Sequence, residues 1–225
     1  RLDLAVITTV APAHLEAFDS VEGIAHEKAA IFDGLEPGGI AVVPLDLAVS
    51  PILLAAARAR AARVETFGAT AGSDYRLTDV TLAQDTTIVR ATRHGAPVLF
   101  KVLTPGRHFA MNALAVLAVA EAVGADPTVA ACDLGIWSPP AGRGQRERIV
   151  MDIVEDHHAF DLIDDAFNAN PASMDAALDV LGAAEPRDGV GRRAEGRRIA
   201  VLGDMLELGP SEAALHAAIA DHPAM

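Results

Sequence analysis

Cysteine is almost absent from this chain. Cys132 is the only one in 225 residues, so no disulfide can close within it, and a reducing compartment such as the cytoplasm is expected. Lysine is nearly as scarce: of 18 basic residues only Lys28 and Lys101 are lysines. Neither follows a glycine, so the phosphate-cradling G-x-x-x-x-G-K-[ST] loop does not occur in these residues. Long apolar runs are missing too. The longest, "ALAVLAVAEAVGA", is interrupted by Glu121 and is too short to span a bilayer, and no secretory signal opens the chain. Positive charge is in deficit. A formal net charge of -13 excludes a protein that coats nucleic acid or an anionic membrane. The local basic run "RDGVGRRAEGRR", with Arg187, Arg192, Arg193, Arg197 and Arg198, reads as a solvated glycine-rich loop.

What is present is apolar residue, 51% of the chain, enough for one large or two small cores. The strand "LAVITTV" leads through "APAHLEAFDS" into a helix that Asp19 or Ser20 can cap, with Glu22 completing a capping box from Asp19. That helix is expected to end near "GLEPGG", where Pro37 and paired glycines stop it, with "IAVVPL" following as a buried strand. Residues 50–62 read as a helix with Pro51 in its first turn, and "VETFG" as the next strand. Between Thr78 and Leu103 the pattern turns to alternation around "RHGAP", the mark of an antiparallel ribbon. A long helix, "GRHFAMNALAVLAVAEAVG", comes next.

The proline- and glycine-rich "WSPPAGRGQ" marks a boundary, placed after residue 137. Beyond it "ERIVMDIVE", "AFDLIDDAF", a helix from Pro171, the strand "RIAVLGDM" and a helix from about Ser211 restart a β/α rhythm, which predicts a mainly parallel sheet. The fold class is thus α/β: a parallel sheet with an antiparallel β ribbon, followed by a second α/β unit. The chain opens directly on a strand and stops at a helix, and so reads as a piece of a longer polypeptide.

Ligands of open parallel sheets bind at the carboxyl ends of strands, and three polar segments fall there: "TTVAPAHLE", "DDAFNANPASM" and "GDMLELG". In the second, Asn170 can cap a helix whose first position is Pro171, leaving free N–H groups that favour an anion, or it can be a cap and nothing more. Asp164 and Asp165 can bind a ribose hydroxyl or a metal, or stay solvated. His14 is open in the same way between ligand and structural hydrogen bonder. Lys28 is the anomaly. Helical spacing puts it on the apolar stripe of Val21, Ile24, Ala25, Phe32 and Leu35. Either its stem snorkels to water, or the amine is desolvated, becomes nucleophilic, and can take up carbon dioxide as a metal-binding carbamate.

Taken in order, "PAHLEAF", "EKAAIF", "GRHFAMNALA", "GRG", "DDAFNANPASM" and "GDMLELG" resemble the Mur ligases, and most of all their D-alanyl-D-alanine-adding branch. The resemblance implies that residues 1–137 are the later part of a central ATP-binding domain and 138–225 most of a Rossmann-like C-terminal domain. The P-loop and a domain for the UDP-sugar would lie upstream. It further implies ATP and Mg2+ as cofactors, UDP-N-acetylmuramoyl-tripeptide and D-alanyl-D-alanine as substrates, and amide bond formation through an acyl phosphate. His14 would be a magnesium ligand and Lys28, as carbamate, the support of a second magnesium. His108 and Asn112 would meet the adenine, Arg143, Asp165 and Asn168 the nucleotide from the C-terminal side, and Asn170 the substrate or domain interface. Phe109 stands where the family often has asparagine, Phe167 where tyrosine is common, and Thr9 where asparagine is common. Two other readings are a P-loop-less nucleotide- or peptide-binding paralogue, and an amide ligase with another acceptor.

Overall fold

A computed structural model of the chain describes residues 1–12, 18, 20–152, 154, 158–189 and 195–225. Six strands form one sheet in which spatial order follows chain order: β1 (Leu2–Val6), β2 (Leu35–Pro44), β3 (Arg63–Gly68), β4 (Tyr75–Leu82), β5 (Thr87–Arg93) and β6 (Ala96–Val102). The first four run parallel, β3 and β4 sharing only the pairs Phe67–Tyr75 and Gly68–Arg76. From β4 onward the pairing is antiparallel, and this is the ribbon expected around "RHGAP".

Alternation along β2 sends its side chains to opposite faces. Ala41 and Val43 meet α1 (Val21–Ala29) and α2 (Ser50–Arg60), through Ile24, Ala25, Leu53 and Ala57. Val42 lies on the other face, in the cluster that packs α3 (Arg107–Ala122) and α4 (Pro127–Leu134) against the sheet through Leu114, Leu117 and Ala131. A sheet covered on both faces is why β2 reads as a continuous apolar run rather than an alternating one. Leu114 is fully buried, and each leucine so placed contributes about 1.5–3 kcal/mol.

Local chemistry explains the helix starts. Ser20 accepts the N–H of Gly23 at 3.1 Å and caps α1, whereas Asp19, the other candidate, lies outside the described residues. α2 starts with Pro51 in its first turn, as its sequence requires. One boundary differs from expectation: β2 begins before Pro37, not after the glycine pair. Leu2 pairs with Leu35 and Leu4 with Ile40, so residues 36–39 stand opposite Asp3 and bulge out of the ladder. Proline is tolerated in a bulge because no ladder bond is asked of its nitrogen.

Residues 135–144 connect this unit to a second, made of β7 (Gln145–Val150), β8 (Ala159–Asp164), α5 (Pro171–Ala183) and α6 (Glu212–Ala218). Here the parallel pairing expected from sequence is corrected: β7 and β8 are antiparallel. Only residues 151–158 join them, too short a link for a parallel crossover, which takes a dozen residues or more. The expected strand "RIAVLGDM" is not in a ladder among the described residues. The Gly196 N–H donates to Asp188 in the loop after α5, and the Arg198 guanidinium to the Gly182 carbonyl near the end of α5; the second contact ties it to the helix, with Val201 93% exposed. Its end is buried, however, through Met205 and Leu208, and the Met205 N–H donates to His216 of α6 at 2.9 Å. No helix among the described residues is long and apolar enough to cross a membrane.

Candidate functional site

Lys28 does not lie within the buried stripe. Ile24, Ala25, Ala29 and Phe32 take the core while Lys28 is exposed. α1 stops at Ala29 and tightens into a 3-10 turn, Ala30–Gly34. With three residues per turn, that segment rotates Phe32 toward the side of Ala29 and off the line of Lys28. The lysine stem is free to leave the core edge, and its Nζ donates to the Thr9 carbonyl at 3.0 Å. Thr9 follows β1, so the amine arrives at the carboxyl end of a parallel strand, where ligands of such sheets gather. His14 lies outside the described residues. A nitrogen that donates into a carbonyl offers a cation no ligand, but carbamate oxygens formed on it would, and hard oxygen donors suit magnesium.

On the other face of the sheet the start of α3 is built around Thr87. Its fully buried hydroxyl donates to the Thr104 carbonyl at 2.7 Å and accepts the Gly106 N–H at 2.9 Å. Gly106 has a φ of 147°, and a Cβ there would stand 2.7 Å from Cε1 of His108. Only glycine lets that imidazole lie over the backbone. The His108 and Phe109 ring centroids are 4.0 Å apart, and Phe109 in turn packs on Trp137 at 5.8 Å. Burial pulls the imidazole below its ordinary pKa of 6.5, and Asp179 of α5 opposes this in part. Burial thus favours the neutral ring, which has one donor and one acceptor nitrogen. Asn112, one helical turn on, is exposed on the same side of α3.

The second unit brings two loops to this region. Gly144 N–H donates to the Asp164 carbonyl at 2.8 Å and Phe167 N–H to the Gly142 carbonyl at 3.0 Å. Gly142 has a φ of 75° and a Cβ there would stand 3.2 Å from the Phe167 Cβ. This close approach puts the Arg143 guanidinium 4.0 Å from the centroid of the Phe167 ring. Asp165 belongs to the same group. Burial first, and Asp164 second, push its carboxyl above the ordinary 3.8, with Arg143 pulling the other way. A Cβ on Gly144 would lie 3.5 Å from Phe109, so the Arg143–Asp165 loops adjoin the His108–Phe109 pair across the two units. A buried imidazole, a guanidinium and a carboxyl of raised pKa on adjoining segments have the chemistry to bind a phosphorylated, aromatic ligand.

The remaining candidates have local duties. Asn168 accepts the Ala169 N–H at 2.8 Å. Asn170 caps α5 in a reciprocal box, accepting the Ser173 N–H at 3.0 Å while its own N–H donates to the Ser173 hydroxyl at 2.9 Å. Sequence reasoning passed over Trp137, Asp179 and Arg146, which reach this region only through tertiary contacts. Among the described residues two groups have metal-ligand chemistry, Glu65–Asp74–His94 and Asp175–Asp179–His222. Neither coincides with the expected ligands. In the second, His222 Nδ1 accepts the Ala224 N–H, which leaves the proton on Nε2, 3.4 Å from both aspartates.

Residues 1–120 match the Mur ligase middle domain and residues 151–224 the Mur ligase, glutamate ligase domain. The chain belongs to the Mur ligase family. Among its relatives, the UDP-N-acetylmuramoyl-tripeptide--D-alanyl-D-alanine ligase of Bacillus subtilis is 32% identical over 95% of this chain and 42% of that protein. The ligase of the same name from Escherichia coli is 32% identical over 98% of the chain and 45% of that protein. The crystal structure of MurF from Acinetobacter baumannii superposes with a TM-score of 0.81 at 26% identity, covering 96% of this chain and 43% of that one. This Mur ligase chain thus spans less than half the length of these relatives.

Proposed function

We propose that this Mur ligase chain is part of an ATP-dependent ligase that joins D-alanyl-D-alanine to UDP-N-acetylmuramoyl-tripeptide during peptidoglycan precursor synthesis. The observation that carries the reading is the match, at 32% identity over 95% and 98% of this chain, to two proteins bearing that name. The grouping of His108, Arg143 and Asp165 at the junction of the two units supports it. Residues 1–137 would be the later part of the ATP-binding domain, and 138–225 most of the Rossmann-like C-terminal domain.

In this reading ATP phosphorylates the terminal carboxylate of the tripeptide, the amine of D-alanyl-D-alanine attacks the acyl phosphate, and phosphate leaves. His108 and Asn112 meet the adenine. The neutral imidazole can both donate to and accept from a base edge, and its packing on Phe109 holds the ring orientation. Arg143 supplies charge to the nucleotide, with Phe167 restricting its side chain, and Asp165 takes a ribose hydroxyl. Asn168 and Asn170 line the junction, Asn170 by fixing the start of α5. Closing the second unit over the nucleotide shields the acyl phosphate from water. Lys28 as a carbamate, with His14, would hold magnesium, which when bound neutralises phosphate charge.

The test is phosphate release by the full-length protein, supplied with ATP and the UDP-linked tripeptide. Release that depends on D-alanyl-D-alanine is expected. Release with glutamate or L-alanine instead would move the chain to another branch of the family, and nucleotide binding without release under any acceptor would make it a non-catalytic paralogue.

A further inference from the structure

The turn between β4 and β5, the lead into α3 and the β7–β8 hairpin meet at a polar cleft of about 540 Å³. Arg146 of β7 crosses it. Its side chain is only 17% exposed, and its guanidinium has three destinations: the Gln84 carbonyl, the Asp85 carboxylate at 2.9 Å, and the carboxylate of Asp161 on β8 at 3.0 Å. Gln84 and Asp85 belong to a tight turn closed by the Ala83 N–H donating to the Thr86 carbonyl at 2.8 Å. The next residue is Thr87, whose hydroxyl holds Thr104 and Gly106. Gly106 in turn underlies the His108 imidazole. An unbroken path of hydrogen bonds and chain therefore runs from Asp161 through Arg146 and the turn to the start of α3.

The other end of the path is as short. Arg143 lies three positions before Arg146, and the Gly144 N–H ties that approach to the Asp164 carbonyl, beside Asp165. Whatever fixes β7 against the turn fixes Arg143 and Asp165 against His108. The chemistry of the side chain suits the task, since a planar guanidinium can serve several acceptors at once and an ammonium cannot do so in one plane. Asp85 is 72% exposed, so its pair adds little; the Gln84 carbonyl and Asp161 carry the contact. Arg187 also pairs with Asp161, at 3.0 Å, and thus shares the anchor within the second unit.

We propose that Arg146 is a positioning residue that locks the β7–β8 hairpin onto the β4–β5 turn and thereby sets the approach of Arg143 and Asp165 to His108. The consequence for nucleotide use rests on the ligase reading above; the lock itself does not. In the full-length protein, hydrogen exchange is followed in peptides covering residues 83–87, 104–108 and 142–146, together with KM for ATP and kcat. Arg146→Ala is expected to speed exchange tenfold or more in all three peptides, leave α1 and α2 unchanged, and raise KM for ATP fivefold or more with a smaller change in kcat. Arg146→Lys should restore only part of this, and Arg187→Ala should leave residues 83–87 protected. Unchanged exchange at 83–87 in Arg146→Ala, or equal loosening by Arg187→Ala, overturns the lock. Should Arg146→Ala unfold globally, Asp161→Asn, which takes the charged acceptor from Arg146 and keeps the size of the side chain, must loosen residues 83–87 while leaving α1 and α2 unchanged. A wild-type protein without acceptor-dependent phosphate release sinks the ligase reading, while the exchange pattern still decides the lock.

Discussion

The Arg143 guanidinium sits 4.0 Å from the centre of the Phe167 ring, and the backbones on either side, Gly142 and Phe167, are joined by a hydrogen bond of 3.0 Å. The cation is held by a neighbour that cannot itself neutralise it. A carboxylate partner would have consumed the charge; an aromatic face orients it and leaves its N–H groups for a ligand.

Phe167→Ala should therefore weaken nucleotide binding without damaging the fold. An exposed cation–π pair is worth about 0.5–1 kcal/mol, so KM for ATP in the full-length protein is expected to rise about two- to fivefold with the melting temperature unchanged. Phe167→Tyr should behave as wild type. An Ala variant with unaltered KM would show that the ring has no part in placing Arg143.

Lys28→Ala should abolish phosphate release by the full-length protein, and added bicarbonate should not restore it. Because Lys28 is exposed, the stability cost is expected within about 0.5 kcal/mol, so lost activity cannot be assigned to unfolding. A carbamate would appear as a labelled carbonyl carbon in NMR after incubation with 13C-bicarbonate. An active Lys28→Ala protein returns the lysine to a snorkelling side chain bonded to Thr9.

Asn170 separates capping from substrate contact. Asn170→Ala removes the acceptor for Ser173 and should cost about 1 kcal/mol in urea unfolding, whereas Asn170→Asp keeps the cap and adds a favourable charge at the helix start. If Asn170→Asp is as stable as wild type but lowers kcat/KM, the side chain also meets substrate. If both parameters are retained, it is a cap alone.

For His108 the pH dependence has a definite sign. Burial, opposed by Asp179, lowers its folded pKa below 6.5, so near that pH the unfolded chain binds more protons than the folded one, and stability rises with pH. The contribution is complete above 6.5 and is lost as pH falls from there through the folded value. Urea unfolding across this range should show a shallower decline for His108→Gln than for wild type; equal slopes would mean that the imidazole is not desolvated.

Much of this was legible in the sequence because the relevant forces act over short range. Ser20 before its helix, Pro51 in a first turn and the turn at "RHGAP" each announce themselves within a few residues. Lys28 misled because helical spacing fixes where a residue sits on α1 but not where a long side chain ends: its amine reaches the Thr9 carbonyl and the residue stays exposed. The pairing of β7 with β8 could have been read from the short link 151–158, but the β/α rhythm argued louder. Among the candidate residues, His108, Arg143 and Asp165 were proposed from motif, and tertiary packing brings their segments together. Trp137 and Arg146 had no local signature at all, since their partners Phe109 and Gln84 are distant in sequence.

The order of the sheet, β1 to β6 without a permutation, has a kinetic meaning. Each strand from β2 to β6, once made, finds a partner already in place as the one synthesised just before it, and loop closure between them costs little entropy. No strand has to wait for a later one to be inserted between it and its neighbour. Elongation by the ribosome can thus lay these six strands down edge to edge, with α3 and α4 following to cover one face.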